Sequence, residues 1–179
     1  MMGVDWEDVR PDILVMGKAI SGGMLPVSGC VADDFIMKNI GPGDHGSTFG
    51  GNPLAMATSL AAVKTLVEEG MVENAARLGP ILMAELKKIN SPLLKEVRGR
   101  GLFIGVEVKQ GKDVAVNGVD YTKILAKHGL LTKANYNTIL KLTPPLVIKE
   151  SEIFKAVEIF KAATKDLEAM NEKLLNNKN

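Results

Sequence analysis

Lys18 stands between two apolar runs in the stretch DILVMGKAISGGMLP, Asp12 to Pro26, and an amine in that position is suited to attack a carbonyl carbon. Residues 13 to 16, Ile-Leu-Val-Met, form a continuous apolar run bounded by Asp12 and Gly17, which fits a buried strand with Lys18 just past its end. Loss of hydration there disfavours the charged ammonium and makes the neutral, nucleophilic amine available for imine formation. The other reading is a lysine that carries its charge out to solvent on a flexible four-carbon stem.

The second candidate is the glycine-rich loop GPGDHGSTFGGNP. Gly41-x-Gly43-x-x-Gly46 has the spacing of a dinucleotide fingerprint, but no strand feeds it and no helix opens at its end, so that match is set aside. Ser47 and Thr48 remain, two hydroxyls on backbone that glycines let a ligand approach, just before a helix whose N-terminus favours anions. A phosphate site and a plain turn with both hydroxyls bonded to backbone are equally compatible with this pattern. Arg98, Arg100 and Lys141 are candidates for a carboxylate, an arginine through a two-pronged contact. His45 and His128 have no partner at the spacing of a metal site or a nucleophilic triad, and read as a hydrogen-bonded loop residue and helix-end residue.

These groups must be held by elements whose punctuation is clear in places. Asn52 caps a helix that starts at Pro53, carries an apolar stripe of Met56, Leu60, Val63 and Val67, and stops at Gly70. Helical spacing continues from Met71 to Ile89, where Gly79-Pro80 predicts a kink or a two-part helix. LLKEVRGRGLFIGVEV reads as a strand alternating at Phe103, Gly105 and Glu107 after a flexible turn at residues 98 to 101. A helix from Asp120 to Gly129, an extended segment from Leu130 to Ala134, and ILKLTPPLVI follow, the two prolines excluding a central strand at 144 and 145. A helix from about Ser151 to Leu175 closes the chain, and the NNKN tail is expected to fray.

The division near residue 60 leaves a first portion of two or three strands that cannot cover both faces of a parallel sheet, and so needs more chain or a partner. In composition, 179 residues with 46% hydrophobic and 24% charged make a globular protein with a core of its own. A net charge of +1 without a basic run argues against nucleic acid or an anionic membrane as partner and leaves small molecules or protein. A single cysteine, Cys30, a polar N-terminus and the lack of a membrane-length apolar run lead to the expectation of a soluble, cytoplasmic protein, with the mitochondrial matrix as alternative where a targeting segment precedes it.

Taken in order, DILVMGKAISGGMLPVSG, HGSTFGGNPLA, EVRGRGLFIGVE and LTPPLVI resemble the class III pyridoxal-phosphate aminotransferases, and among them the ornithine aminotransferases most. The resemblance implies the C-terminal part of a fold type I large domain over residues 1–60 and an α+β small domain over residues 61–179. It implies that Lys18 forms the Schiff base with the cofactor and moves the substrate proton, and that Thr48, with Ser47 beside it, reaches the cofactor phosphate of the neighbouring subunit in a homodimer. The implied reaction passes the δ-amino group of ornithine to 2-oxoglutarate, giving glutamate semialdehyde and glutamate. Two departures stand out. The family's N-terminal part, with the phosphate-cradling turn, the stacking aromatic and the aspartate for the pyridine nitrogen, is not in this sequence. Lys141 also stands where the family carries an arginine for the substrate carboxylate, which keeps the charge and loses the planar fork. The expectation is a chain inactive by itself. The alternatives are a non-catalytic relative serving as an interaction module, or a class III enzyme acting on acetylornithine or 4-aminobutyrate.

Overall fold

The computed structural model describes residues 2–177, and the expected fraying at Lys178 and Asn179 lies outside them. The chain forms two compact units, Met1–Val72 and Glu73–Asn179.

The first unit holds strands β1 (Ile13–Gly17) and β2 (Ser28–Ala32), a single-turn 3-10 helix at Lys18–Ser21, the short helix α1 (Asp34–Met37) and helix α2 (Pro53–Glu68). β1 and β2 pair antiparallel, Ile13 opposite Ala32 and Gly17 opposite Ser28. β1 is not the buried strand its composition predicts: Val15 is 75% exposed and Ile13 is exposed too. Burial alternates along β1, with Leu14 and Met16 half-buried and Ile13 and Val15 on the uncovered face, so only half of its apolar character becomes burial in this unit. Helix α2 goes whole with the first unit, whereas a division at residue 60 would cut it; its small residues Ala55 and Ala62 face inward, and a Cβ placed on Gly22 would lie 3.3 Å from that of Ala62.

The second unit carries the core. Its sheet has the order β3-β4-β6-β5, all neighbours antiparallel, formed by β3 (Leu94–Arg100), β4 (Phe103–Val108), β5 (Lys133–Asn135) and β6 (Ile139–Leu142). Ile104, Val106, Val108, Leu140 and Leu142 line one face and are buried against helices α3 (Met71–Lys87), α4 (Gly118–Lys127) and α5 (Glu150–Asn176). The stripe Ile153, Val157, Phe160, Ala163 and Leu167 puts one side of α5 into that core, as its helical period requires. Asn117 caps α4 by accepting from the backbone amides of Val119 (2.8 Å) and Asp120 (3.2 Å).

Three local details differ from the sequence reading. The segment 98 to 100 belongs to β3, and the turn is only Gly101-Leu102, with Arg100 opposite Phe103. The β5–β6 hairpin turns on Tyr136 and Asn137, both at positive φ (51° and 58°), with the Thr138 amide donating to the Asn135 carbonyl at 3.1 Å and Asn135 paired with Ile139 across a three-residue connection. Helix α3 runs through Gly79-Pro80 as one helix, which rules out the two-part alternative. Gly79 has a packing reason to be there: a Cβ on it would sit 2.2 Å from the Gly101 carbonyl oxygen, so α3 touches the β3–β4 turn backbone to backbone.

Inside the core, the Tyr121 hydroxyl lies 2.6 Å from Thr164 Oγ1, which donates to the Phe160 carbonyl at 2.7 Å, and the Tyr121 ring meets Phe160 edge-on with centroids 5.7 Å apart. Burial, partly offset by the Thr164 hydrogen bond, pushes the Tyr121 phenol up to about 12. Gly79→Ala should cost about 1–3 kcal/mol in urea unfolding, because backbone must move to admit one methyl group. Between pH 10 and 12 the folded state keeps the Tyr121 proton that the unfolded chain releases, so its contribution is complete below pH 10 and falls as pH rises. Tyr121→Phe should lower stability by about 1 kcal/mol at neutral pH and flatten that alkaline decline, as read by thermal melts across pH.

Candidate functional site

Lys18 follows directly on β1, and its backbone adopts φ 55°, a left-handed conformation that costs a side chain with a Cβ about 1–2 kcal/mol. Gly17 before it is extended, and Gly22, in the left-handed region at φ 65°, ends the 3-10 turn that Lys18 opens. The turn is anchored at its other end. Ser21 is fully buried, and its hydroxyl donates to the Leu25 carbonyl while accepting from the Leu25 amide at 3.4 Å. Lys18 itself is exposed rather than buried, so the desolvation expected from sequence is absent in this unit, as it is for Ile13 and Val15 on β1.

Ser47 and Thr48 lie exposed in the loop between α1 and α2. Their hydroxyls have no hydrogen-bond partner among the described residues; only the Ser47 carbonyl is used, accepting from the Gly50 amide at 3.1 Å. Asn52 holds the end of this loop twice. Its Oδ1 accepts from the Ala55 amide at 2.8 Å, capping α2, while its Nδ2 donates to the Phe49 carbonyl at 2.9 Å. The reading in which both hydroxyls merely satisfy backbone is therefore not what this loop adopts. His45 has no partner among the described residues, whereas His128 Nε2 lies 2.7 Å from Asp166 Oδ2.

Lys141 sits on β6 in the second unit, with Gly105 opposite it on one side and Lys133 on the other. Its ammonium lies 5.5 Å from the centroid of the Phe103 ring, a cation–π placement. On the same sheet, Arg98 Nη1 is bonded to Glu96 and to Glu107, the latter at 2.6 Å, and Lys95 reaches Glu107 at 2.7 Å. The Lys95 and Arg98 hydrogen bonds hold the Glu107 carboxyl below its usual range, and Glu107 and Glu96 in turn hold Arg98 more firmly protonated.

Sequence reasoning passed over a cavity of about 670 Å³ in this unit, in the size range of small-molecule sites. Leu130, Ile153 and Phe160 make its apolar lining, and Thr132, Glu152 and Lys155 are among its polar groups. Two of these are committed elsewhere: Thr132 donates to the Lys141 carbonyl at 2.8 Å, and Glu152 accepts from the Lys149 amide at 2.8 Å. The candidate Lys141 and the Leu142 to Pro145 part of the LTPPLVI block also line it, but the rest of its wall comes from residues 82 to 160 that no one motif brings together.

Lys18, Ser47 and Thr48 thus belong to one unit and Lys141 to the other. Among the described residues no helix is long and apolar enough to cross a membrane. Comparison with known proteins bears on what the arrangement is for. The model of the class-III aminotransferases matches residues 1–164. The chain is 45% identical over 159 residues to an ornithine aminotransferase of Exiguobacterium, covering 89% of this chain and 38% of that protein. It is 46% identical over 156 residues to the mitochondrial ornithine aminotransferase of Arabidopsis thaliana, covering 86% and 33%. Among solved structures, acetylornithine aminotransferase from Elizabethkingia anophelis superposes with a TM-score of 0.86 at 40% identity, over 92% of this chain and 41% of that one. Ornithine aminotransferase from Toxoplasma gondii, described with partial occupancy of PLP at its active site, gives 0.88 at 35% identity, over 94% and 40%. The chain spans about two fifths of the length of the first of these curated relatives.

The clamp on Glu107 makes a pH prediction. With its folded pKa below 4.5, the stabilisation from Glu107 is complete above that value and is lost as pH falls through the folded one. Glu107→Gln should therefore flatten the acid side of a stability profile and leave the alkaline side unchanged.

Proposed function

We propose, given that the chain belongs to the class-III aminotransferase family, that it is the C-terminal part of a pyridoxal-phosphate-dependent ornithine aminotransferase, comprising the end of the cofactor domain and the small domain. The observation that carries this reading is Lys18 itself: a non-glycine residue held at φ 55° on an anchored turn at a strand end, which is where functional groups keep costly backbone. The residues present fit the cofactor in kind. The Lys18 amine has no ion-pair partner, and the Ser47 and Thr48 hydroxyls have no intramolecular partner, among the described residues.

When bound, pyridoxal phosphate supplies an aldehyde for an amine to join and a ring that accepts the electrons of a breaking bond. Lys18 would supply the amine that holds the cofactor and the base that takes and returns the substrate proton. Thr48 and Ser47 would donate hydroxyl hydrogens to the phosphate of a cofactor held by a second copy, with a homodimer as the working form. Lys141 holds a substrate carboxylate by charge. The substrates on this reading are ornithine and 2-oxoglutarate. The likeness to an acetylornithine aminotransferase, at 40% identity, favours acetylornithine as the second choice of amino donor.

The test is to incubate the chain with pyridoxal phosphate, reduce with borohydride and map pyridoxyl groups by peptide mass spectrometry. A single adduct on Lys18, absent from Lys18→Ala, is the expected result; adducts scattered over surface lysines would overturn the assignment of Lys18. The chain alone should show no transamination of ornithine, and supplying the N-terminal part of a relative should restore activity that Lys18→Ala abolishes.

A further inference from the structure

Residues 117 and 118 are the one Asn-Gly pair in the sequence, and that pair carries a reactivity of its own. An asparagine side-chain carbonyl carbon is an electrophile within reach of the next backbone nitrogen, and a following glycine, lacking Cβ, hinders the approach least. In the reaction the Gly118 nitrogen loses its hydrogen and bonds to Asn117 Cγ, and the side-chain nitrogen leaves as ammonia. Water then opens the resulting cyclic imide at either carbonyl, giving aspartate or, with the main chain rerouted through the side chain, isoaspartate. Water is the only co-reactant.

Each residue has its own structural reason to be there. Asn117 caps α4: its Oδ1 accepts from the Val119 and Asp120 amides, and its own amide donates to Asp120 Oδ2 at 3.1 Å, a reciprocal capping box. Gly118 is buried against the β5–β6 connection, where a Cβ would lie 3.0 Å from the Asn137 carbonyl oxygen and 3.1 Å from the Thr138 carbonyl carbon. The labile pair thus results from two separate packing demands. The same contacts hold the reaction off. The Gly118 hydrogen, which must leave for its nitrogen to attack, is donated to the Asn137 carbonyl at 2.7 Å. Ring closure also draws the Asn117 side chain away from the amides it caps, and the imide has no hydrogen at 118 to return to Asn137. Reaction therefore requires the start of α4 to come off the hairpin. That opening forfeits a cap and a buried backbone hydrogen bond, together worth about a hundredfold in the population able to react.

We propose that Asn117-Gly118 is a latent deamidation site, disarmed by the folded start of α4, and that its isoaspartyl product uncouples this helix from the β5–β6 hairpin. The two products differ in consequence. Aspartate at 117 keeps an oxygen for the Val119 and Asp120 amides and places negative charge at a helix N-terminus, where it is favoured. Isoaspartate puts one more carbon into the main chain between 117 and 118, in a space where Gly118 already touches the hairpin backbone, and moves its amide off the Asn137 carbonyl.

The experiment is to age the full chain at mildly alkaline pH, in buffer and in urea above its unfolding midpoint, and to follow the acid forms at 117 by peptide mass spectrometry. Deamidation in buffer should run about a hundredfold slower than in urea, the protection that the two lost interactions confer. Asp120→Ala removes the reciprocal bond to Asn117 and leaves the pair itself intact. It should speed the reaction in buffer about tenfold, the worth of one charge-assisted hydrogen bond, and leave the rate in urea unchanged. In the wild type the rate should climb with urea already below the unfolding midpoint, which reads the same opening without a variant. Aspartyl and isoaspartyl peptides separate after digestion, so hydrogen exchange carried out beforehand reports on both products in one aged and refolded sample. First-turn amides of α4 should stay protected in the aspartyl product and exchange at least about tenfold faster in the isoaspartyl one. Equal rates in buffer and in urea, or a wild-type rate that stays flat until the whole chain unfolds, would overturn the gating by α4. Equal protection in the two products would overturn the uncoupling.

Discussion

The alternation along β4 is the constraint on which the second unit depends. Ile104, Val106 and Val108 are all buried, and burying them against three helices forces Phe103, Gly105 and Glu107 onto the other face. A strand slipped by one residue would exchange the two sets and expose the core, so apolar burial specifies the register of a polar surface. The row of Arg98, Gly105, Lys141 and Lys133 is a consequence of that register, and each of its members owes its neighbours to residues that face away from it.

The first unit obeys the opposite condition. Its α2 has one lysine and one glutamate in 16 residues, and its large apolar residues, Leu54, Met56, Leu60, Val63 and Val67, are exposed while Ala55 is buried. A helix apolar on every side belongs inside a larger body, and a two-stranded ribbon with exposed Ile13, Val15 and Val31 does too. What this unit does define is local: the Ser21 clamp, the left-handed Lys18 and the double role of Asn52 at the end of the loop that holds Ser47 and Thr48. These depend on short-range hydrogen bonds and backbone geometry, which need no distant cover to form.

Buried polar groups mark where the second unit has little freedom. Tyr121 and Thr164 satisfy each other beside the Phe160 carbonyl, and Asn171 accepts from the Ala115 amide at 2.7 Å while donating to the Asp113 carbonyl at 3.2 Å. Asn74 donates to the carbonyls of Leu146 and Ile148, tying the segment after β6 to α3. Such bonds stabilise modestly when made and cost more when left unmade, so they select one arrangement of helices over the sheet.

Much of this was legible before any coordinates. Asn52, Pro53 and Gly70 bound α2, the stripe from Ile153 to Leu167 announces α5, and the four blocks around Lys18, Thr48, Gly101 and Pro144 carry the family, because capping, periodicity and motifs are properties of neighbouring residues. The course of α3 through Pro80, the left-handed turn at Tyr136 and Asn137 and the cavity behind Thr132 were not, since each depends on what the folded chain brings alongside. Sequence by itself determined which residues could do chemistry and where several of the helices around them begin and end. Tertiary structure alone decided that Lys18 is exposed in this unit and that Lys141 faces Lys133 and Gly105, because exposure and cross-strand pairing are set by packing between segments far apart in the chain.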